Sequence, residues 1–293
     1  RTGEVDIVVA GGTENMSQSP FMLGYQARFD GLRMGDASLV DGLTDGLGCP
    51  VNRYHMGVTA ENVAERFGVS REDQDELALI SHTRAVAAIA NDRFKGQITT
   101  VEVPQRRADP IIFDTDEGPR ADTSLDRLGK LRPIFKKDGT VTAGNASSIN
   151  DAAAAVVMMS ASKAAELGIQ GKLKWHTRGV AGVEPAIMGI GPVPAVRKAL
   201  KKAGMELNDI DLIELNEAFA SQALYCMREL DMDIEKTNVN GSGISLGHPI
   251  GATGAIMTVK LLEELAFRDE TYGLVTMCVG GGQGVATIFE RIG

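Results

Sequence analysis

The sequence predicts an α/β fold, on three observations. Short, nearly continuous apolar runs rich in valine and bounded by glycine read as strands buried on both faces. Segments with helix start and stop signals fall between them. The two kinds of segment alternate along the chain, the order that layers helices on a sheet.

The first strand is expected over residues 5–10, ahead of Gly11 and Gly12. Thr59 reads as a helix N-cap and Gly68 as the residue that ends that helix, while Ser70 caps the next. In this second helix Leu77, Ala78, Ala85, Ala88 and Ile89 make a mostly small apolar face. Further strands are expected at 155–159, 212–215, 274–279 and 285–289. Pro192-Val193-Pro194 opens a helix running to Lys202 and stopped near Gly204. No repeat with a period of 20 to 50 residues is visible.

With 293 residues, 43% of them hydrophobic, the chain can bury a sizeable core, as two domains or as one with a large insertion. A net charge of −9 argues against general nucleic-acid binding, so an anionic substrate needs a local basic patch. Residues 104–140 supply one. There Arg106, Arg107, Arg120, Arg127, Lys130, Arg132, Lys136 and Lys137 are interleaved with Asp and Pro in a stretch that reads as an insertion. Its bland reading is a solvated, irregular surface. Three cysteines argue against a disulfide framework and fit a reducing compartment. No apolar run approaches a membrane span, and Arg1-Thr2-Gly3-Glu4 is not a signal peptide. A cytoplasmic location without membrane or nucleic-acid partners is the expectation.

Chemistry concentrates in three small-residue contexts: Asn216-Glu217-Ala218-Phe219-Ala220, Gly247-His248-Pro249-Ile250-Gly251-Ala252-Thr253-Gly254, and Cys278-Val279-Gly280-Gly281-Gly282-Gln283-Gly284. They supply an amide, an imidazole and a thiol. A thiol followed by glycines can present both sulfur and bare N–H groups to a small substrate, which is equipment for acyl transfer. Taken alone, Asn216 suits a helix N-cap, Cys278 suits an inert buried thiol, and His248 suits a structural loop histidine. Taken together, the three suggest a cysteine hydrolase with Cys278 as nucleophile.

These motifs, in this order and spacing, resemble the C-terminal half of the thiolases, the acetyl-CoA acetyltransferase or 3-ketoacyl-CoA thiolase family. Val5-Asp6-Ile7-Val8-Val9-Ala10-Gly11-Gly12-Thr13-Glu14-Asn15-Met16-Ser17, Tyr54-His55-Met56-Gly57 and Gly139-Thr140-Val141-Thr142-Ala143-Gly144-Asn145-Ala146-Ser147 match further family signatures, so the resemblance runs over essentially the whole chain. It implies a layered αβαβα fold with an inserted loop domain and an incomplete first half. The remnant of that half falls at 1–18 and 149–170, the loop domain at 19–148 and the second half at 171–293.

The resemblance also implies an acyltransferase: Claisen condensation of two acetyl-CoA to acetoacetyl-CoA, or thiolysis of a 3-ketoacyl-CoA. Cys278 becomes the acid and base that moves the α-proton, and His248 the base for the incoming nucleophile and later an oxyanion ligand. Asn216 holds a water that forms one oxyanion hole with His248; the strand end opening into glycines by itself lets the Gly280 N–H point at a carbonyl oxygen. On the substrate side His55 and Met56 border the pantetheine and acyl pocket, with Phe219 beside them. Arg120 lies near the nucleotide end, Leu131 and Phe135 cover the adenine and pantetheine, Ser147 contacts pantetheine, and Met188 forms a pocket wall. For both methionines ordinary core packing is the competing reading. Ser148 stands where the family commonly has glycine, and Gln283 where the short-chain biosynthetic group often has methionine.

In thiolases the nucleophilic cysteine occupies a Cys-Gly-Ser-Gly-like motif ahead of the first strand named here, and neither Cys49 nor Cys226 has glycine-rich surroundings to replace it. A longer chain, or a separate preceding chain, is therefore expected. The alternative is a noncatalytic thiolase-fold fragment or subunit that binds CoA or a partner. Coenzyme A is expected as substrate and product, with no separate cofactor and no metal: there is no CxxC pair, no HExxH and no convincing dinucleotide fingerprint. A homodimer or tetramer is implied.

Overall fold

A computed structural model describes residues 3–32 and 34–293 of the chain. Its strands are β1 (Ile7–Asn15), β2 (Phe21–Leu23), β3 (Leu39–Asp41), β4 (Val101–Val103), β5 (Ile111–Phe113), β6 (Asp151–Met159), β7 (Leu173–Gly182), β8 (Leu212–Leu215), β9 (Tyr272–Val279) and β10 (Gln283–Arg291). Its helices are α1 (Gln26–Phe29), α2 (Gly42–Gly46), α3 (Met56–Phe67), α4 (Arg71–Ala90), α5 (Leu125–Gly129), α6 (Ala161–Glu166), α7 (Pro192–Ala203), α8 (Ala220–Leu230), α9 (Gly243–Leu246) and α10 (Thr253–Arg268).

The main sheet has the order β7-β10-β9-β8, with β8 and β9 parallel and the other pairs antiparallel. Successive side chains of a strand point to opposite faces, which divides the core in two. Ile213, Leu215, Leu274, Ala286 and Ile288 pack on one side with Val196, Ala199 and Leu200 of α7 and Ala223 of α8. Leu212, Val275 and Phe289 pack on the other with Met257, Leu261 and Leu265 of α10. Full burial of side chains such as Leu261 and Leu265 contributes about 1.5 to 3 kcal/mol each. Helix α10 also touches β1 and β6, which pair antiparallel along their whole length. The layers therefore run from α7 and α8 through the sheet and α10 to the β1–β6 ribbon.

Several local expectations meet their structure here. Ser70 caps α4 by accepting the N–H of Asp73, and Gly68 and Gly204, both left-handed, end α3 and α7. Thr59 is not a cap: it lies inside α3, whose N-cap is His55. The expectation that 5–10 forms a strand buried on both faces is wrong in burial and in extent. The strand runs from Ile7 to Asn15 and leaves Val9 70% exposed, because the two-stranded ribbon has α10 on one side and nothing among the described residues on the other. Its partner β6 shows the same asymmetry at Val157.

Between residues 19 and 148 β2 pairs with β3, β4 pairs with β5, and both ribbons are mostly exposed. Helices α3 and α4 instead pack against α8 and α9, which brings the start of α3 to the end of the main sheet. The basic residues of 104–140 are partly neutralised, with Arg127 on Asp122, Lys130 on Asp126 and Lys136 on Glu65. No helix among the described residues is long and apolar enough to cross a membrane.

Candidate active site

Strands β8 and β9 run side by side with Leu215 opposite Thr276. One step beyond that pair on β8 is Asn216, and two steps beyond it on β9 is Cys278, so both emerge at the C-terminal ends of neighbouring parallel strands. That end of an α/β sheet is where ligands bind.

The Asn216 backbone is tied down: its N–H donates to Thr276 O at 3.0 Å, and its carbonyl accepts Gln222 Nε2 at 3.1 Å. Its side chain is only 1% exposed, yet neither Oδ1 nor Nδ2 has a partner in the protein. It does not cap the following helix either, since α8 starts at Ala220 with Phe219 in the N-cap position. A brace holds this segment from behind. Asn238 accepts the Leu215 N–H at 2.9 Å and donates to Leu215 O and to Glu217 Oε1, both at 2.8 Å. Ser81 Oγ donates to Glu217 Oε2 at 2.6 Å. Burial pushes the Glu217 carboxyl above the usual carboxylate range, with the Ser81 and Asn238 hydrogen bonds opposing it.

Cys278 is 8% exposed and packs with Met188, Ala218, Met56 and Phe219. Burial pushes its thiol up to about 11, so it carries its proton at neutral pH. Gly280 is the first residue past Val279, the last paired residue of β9, and its N–H lies outside the ladder. A Cβ there would stand 3.0 Å from Met56 Cε, so the turn closes directly over the methionine.

His248 is reached from the other side by the β1–β6 ribbon and the residues before it. Its N–H donates to Asn150 Oδ1 at 3.1 Å, and Gly251 N–H donates to Glu14 Oε2 at 3.1 Å. A Cβ on Gly251 would come within 2.5 Å of Thr13 O, so loop and ribbon meet backbone to backbone. The imidazole Nδ1 lies 2.7 Å from Thr253 Oγ1. Burial lowers the His248 pKa to about 4 against the opposing pull of the Glu14 carboxylate, which leaves the ring neutral at pH 7.

At the start of α3 His55 Nδ1 accepts the Gly57 N–H at 3.0 Å and so caps the helix. Its ring stacks on Phe135 at 4.7 Å and 17°, and Phe135 meets Phe219 edge-on at 6.1 Å and 86°. Ser147 joins through its backbone, donating to Ala218 O at 3.0 Å. The structure thus gathers Cys278, Met188, Met56, Phe219, Phe135, His55 and Gly280 into one cluster, with Asn216 beside it on the neighbouring strand. Arg120 and Leu131 lie outside the cluster. Arg120 donates its backbone N–H to His82 Nδ1 at 3.1 Å, and Leu131 is 38% exposed with its carbonyl accepting Arg71 Nη2 at 3.0 Å. Asn150, Glu14, Thr253, Asn238 and Ser81 were given no role by the sequence. Thr253 carried a signal, five residues past His248 within the same motif, and Glu14 lay within the Val5 to Ser17 signature.

A Cβ on Gly57 would fall 2.3 Å from the Phe135 ring, closer than any neighbour can tolerate. Gly57→Ala is therefore expected to dislodge the ring and cost about 1 to 3 kcal/mol of stability, as overpacking does. A fall in the denaturant midpoint checks it; an unchanged midpoint would mean that Phe135 moves freely.

The thiolase N-terminal domain model matches residues 1–162 and the thiolase C-terminal domain model residues 169–291. The chain is 54% identical over 292 residues to an acetyl-CoA acetyltransferase of Pseudomonas aeruginosa, covering 99% of this chain and 74% of the relative. Among solved structures, the acetyl-CoA acetyltransferase of Bacillus anthracis is similar at a TM-score of 0.95 and 49% identity, over 99% of this chain and 73% of that one. The human mitochondrial 3-ketoacyl-CoA thiolase in complex with CoA is similar at 0.94 and 44%, over 99% and 72%.

Proposed function

This chain belongs to the thiolase family, and on that premise we propose how its residues divide the chemistry. The protein is a thiolase-type acyltransferase, and coenzyme A is its substrate and product. The condensation of two acetyl-CoA to acetoacetyl-CoA is the preferred reaction, supported by the Met56, Met188 and Phe219 side chains that pack in one apolar cluster with Cys278.

The observation that carries the division of roles is the buried, unpartnered amide of Asn216. Leaving a buried amide unsatisfied costs about 1 to 3 kcal/mol, so such a group in a cleft is one kept for water or substrate. Here it holds a water that, with His248, binds the oxyanion of one thioester, while the Gly280 N–H serves an acyl oxygen.

His248, neutral at pH 7, takes the proton of the acyl-carrying cysteine that the resemblance places ahead of β1. The resulting thiolate attacks the first acetyl-CoA, and Cys278, protonated at rest, gives its proton to the departing CoA sulfur. Cys278 is then a strong base, because a thiol held at about 11 yields a thiolate that binds protons tightly. It removes the α-proton of the second acetyl-CoA, the carbanion attacks the acyl thioester, and the released cysteine recovers its proton from His248. Both side chains end as they began.

His55, Phe135 and Leu131 line the pantetheine and adenine path in this proposal, with Ser147 beside it and Arg120 toward the phosphates. A homodimer or tetramer is supported by the exposed apolar side chains of β2 and β3. A cytoplasmic location is supported by three free cysteines. The test is steady-state thiolysis by the full-length enzyme across 3-ketoacyl-CoA chain lengths. The highest kcat/KM is expected on acetoacetyl-CoA, and a higher value on long chains would overturn the short-chain preference.

A further inference from the structure

We propose that Thr253 is a positioning residue that holds His248 in the tautomer protonated at Nδ1, leaving Nε2 as the basic nitrogen. Thr253 is the first residue of α10 and is 3% exposed. Its Oγ1 stands 2.7 Å from His248 Nδ1 and also donates to Pro249 O at 2.8 Å. A hydroxyl has one proton to give. When that proton goes to Pro249, Oγ1 faces the ring as an acceptor, and Nδ1 carries the hydrogen between them. The hydroxyl thus turns back onto the loop that carries the ring, to the carbonyl four residues earlier.

The acceptor carbonyl is itself fixed. Pro249 has a locked φ, and its oxygen also receives the N–H groups of Ala252 at 2.8 Å and Thr253 at 2.9 Å. The hydrogen bond made by one ring nitrogen decides the state of the other. Both neutral His248 and its cation then keep Nδ1–H on Thr253, so a proton can arrive at Nε2 without any hydroxyl turning over. The reverse arrangement, with the hydroxyl donating to Nδ1, would place the hydrogen on Nε2 and remove the base. It would also force a rotation on every proton transfer, which a preorganised site avoids.

The inference rests on the reading of His248 as a base, and the experiment separates the two. The full-length enzyme is labelled with 13C,15N-histidine; this chain has four histidines, and the His248 signal is assigned by its loss in His248→Gln. The wild type is expected to show the Nδ1–H pattern, Thr253→Val a shift toward Nε2–H, and Thr253→Ser a return. Single-turnover acylation by acetyl-CoA should fall about 10- to 100-fold in Thr253→Val, the usual cost of losing a group that orients a working side chain, and recover in Thr253→Ser. KM for acetyl-CoA should change little. An Nε2–H signal in the wild type, or a Thr253→Val variant with unchanged tautomer, overturns the proposal without any activity measurement. A tautomer that responds as expected in an enzyme whose His248→Gln variant acylates at the wild-type rate upholds the lock and sinks the base.

Discussion

Cys278→Ser in the full-length enzyme is expected to lose about 10²- to 10⁴-fold in condensation, the usual worth of a positioned acid or base, while still accepting an acetyl group on the acyl-carrying cysteine. A hydroxyl replaces a thiol of similar shape but cannot reach the ionised state that an α-proton demands. The site around residue 278 is apolar, formed by Met188, Ala218, Met56 and Phe219, so nothing there compensates for the lost sulfur. Rapid-quench labelling with radioactive acetyl-CoA separates the half-reactions. A variant that is never acylated would return Cys278 to the nucleophile role that the isolated motif suggests.

His248→Ala should slow acylation itself by about 10²- to 10⁴-fold because the incoming thiol loses its base. The pH dependence follows from the direction of the shift. Folding lowers the His248 pKa from 6.5 to about 4, so between those values the unfolded chain holds a proton that the folded one refuses. This group's contribution to stability is complete above about 6.5 and is lost as the pH falls through 4. The same shift keeps the base available, so the acid limb of the acylation rate that depends on His248 is expected near pH 4. An acid limb near 6.5 that vanishes in His248→Ala would show the imbalance to be absent.

How much of this was legible in the sequence depended on whether the cause was local. Strand β8 has the bounds that its apolar run predicts, Leu212–Leu215, and it is buried along its whole length. Strand β7 was missed because Lys174, His176 and Arg178 interrupt any apolar run, as an edge strand with a solvated face allows. The ribbon strand β1 was read as buried on both faces because valine content reports apolar character and not which faces are covered. The Asn216 motif was visible, yet its helix-capping alternative fell only when the start of α8 was placed at Ala220.

The supports of the site were the least legible. Asn150 lies 98 residues from the His248 N–H it accepts, and Glu14 lies 237 residues from Gly251. No spacing rule spans such distances. The protonation states were hidden for the same reason, since burial by many elements sets both the lowered His248 and the raised Cys278.

The central claim is that only Cys278 moves the α-proton, while His248 exchanges its proton with the acyl-carrying cysteine. Deuterium uptake into the methyl group of acetyl-CoA, followed by mass spectrometry with the full-length enzyme in D₂O, tests it most directly. The account predicts enzyme-dependent exchange in the wild type and none above background in Cys278→Ser, although the variant is still acylated. Exchange at the wild-type rate in Cys278→Ser would contradict it.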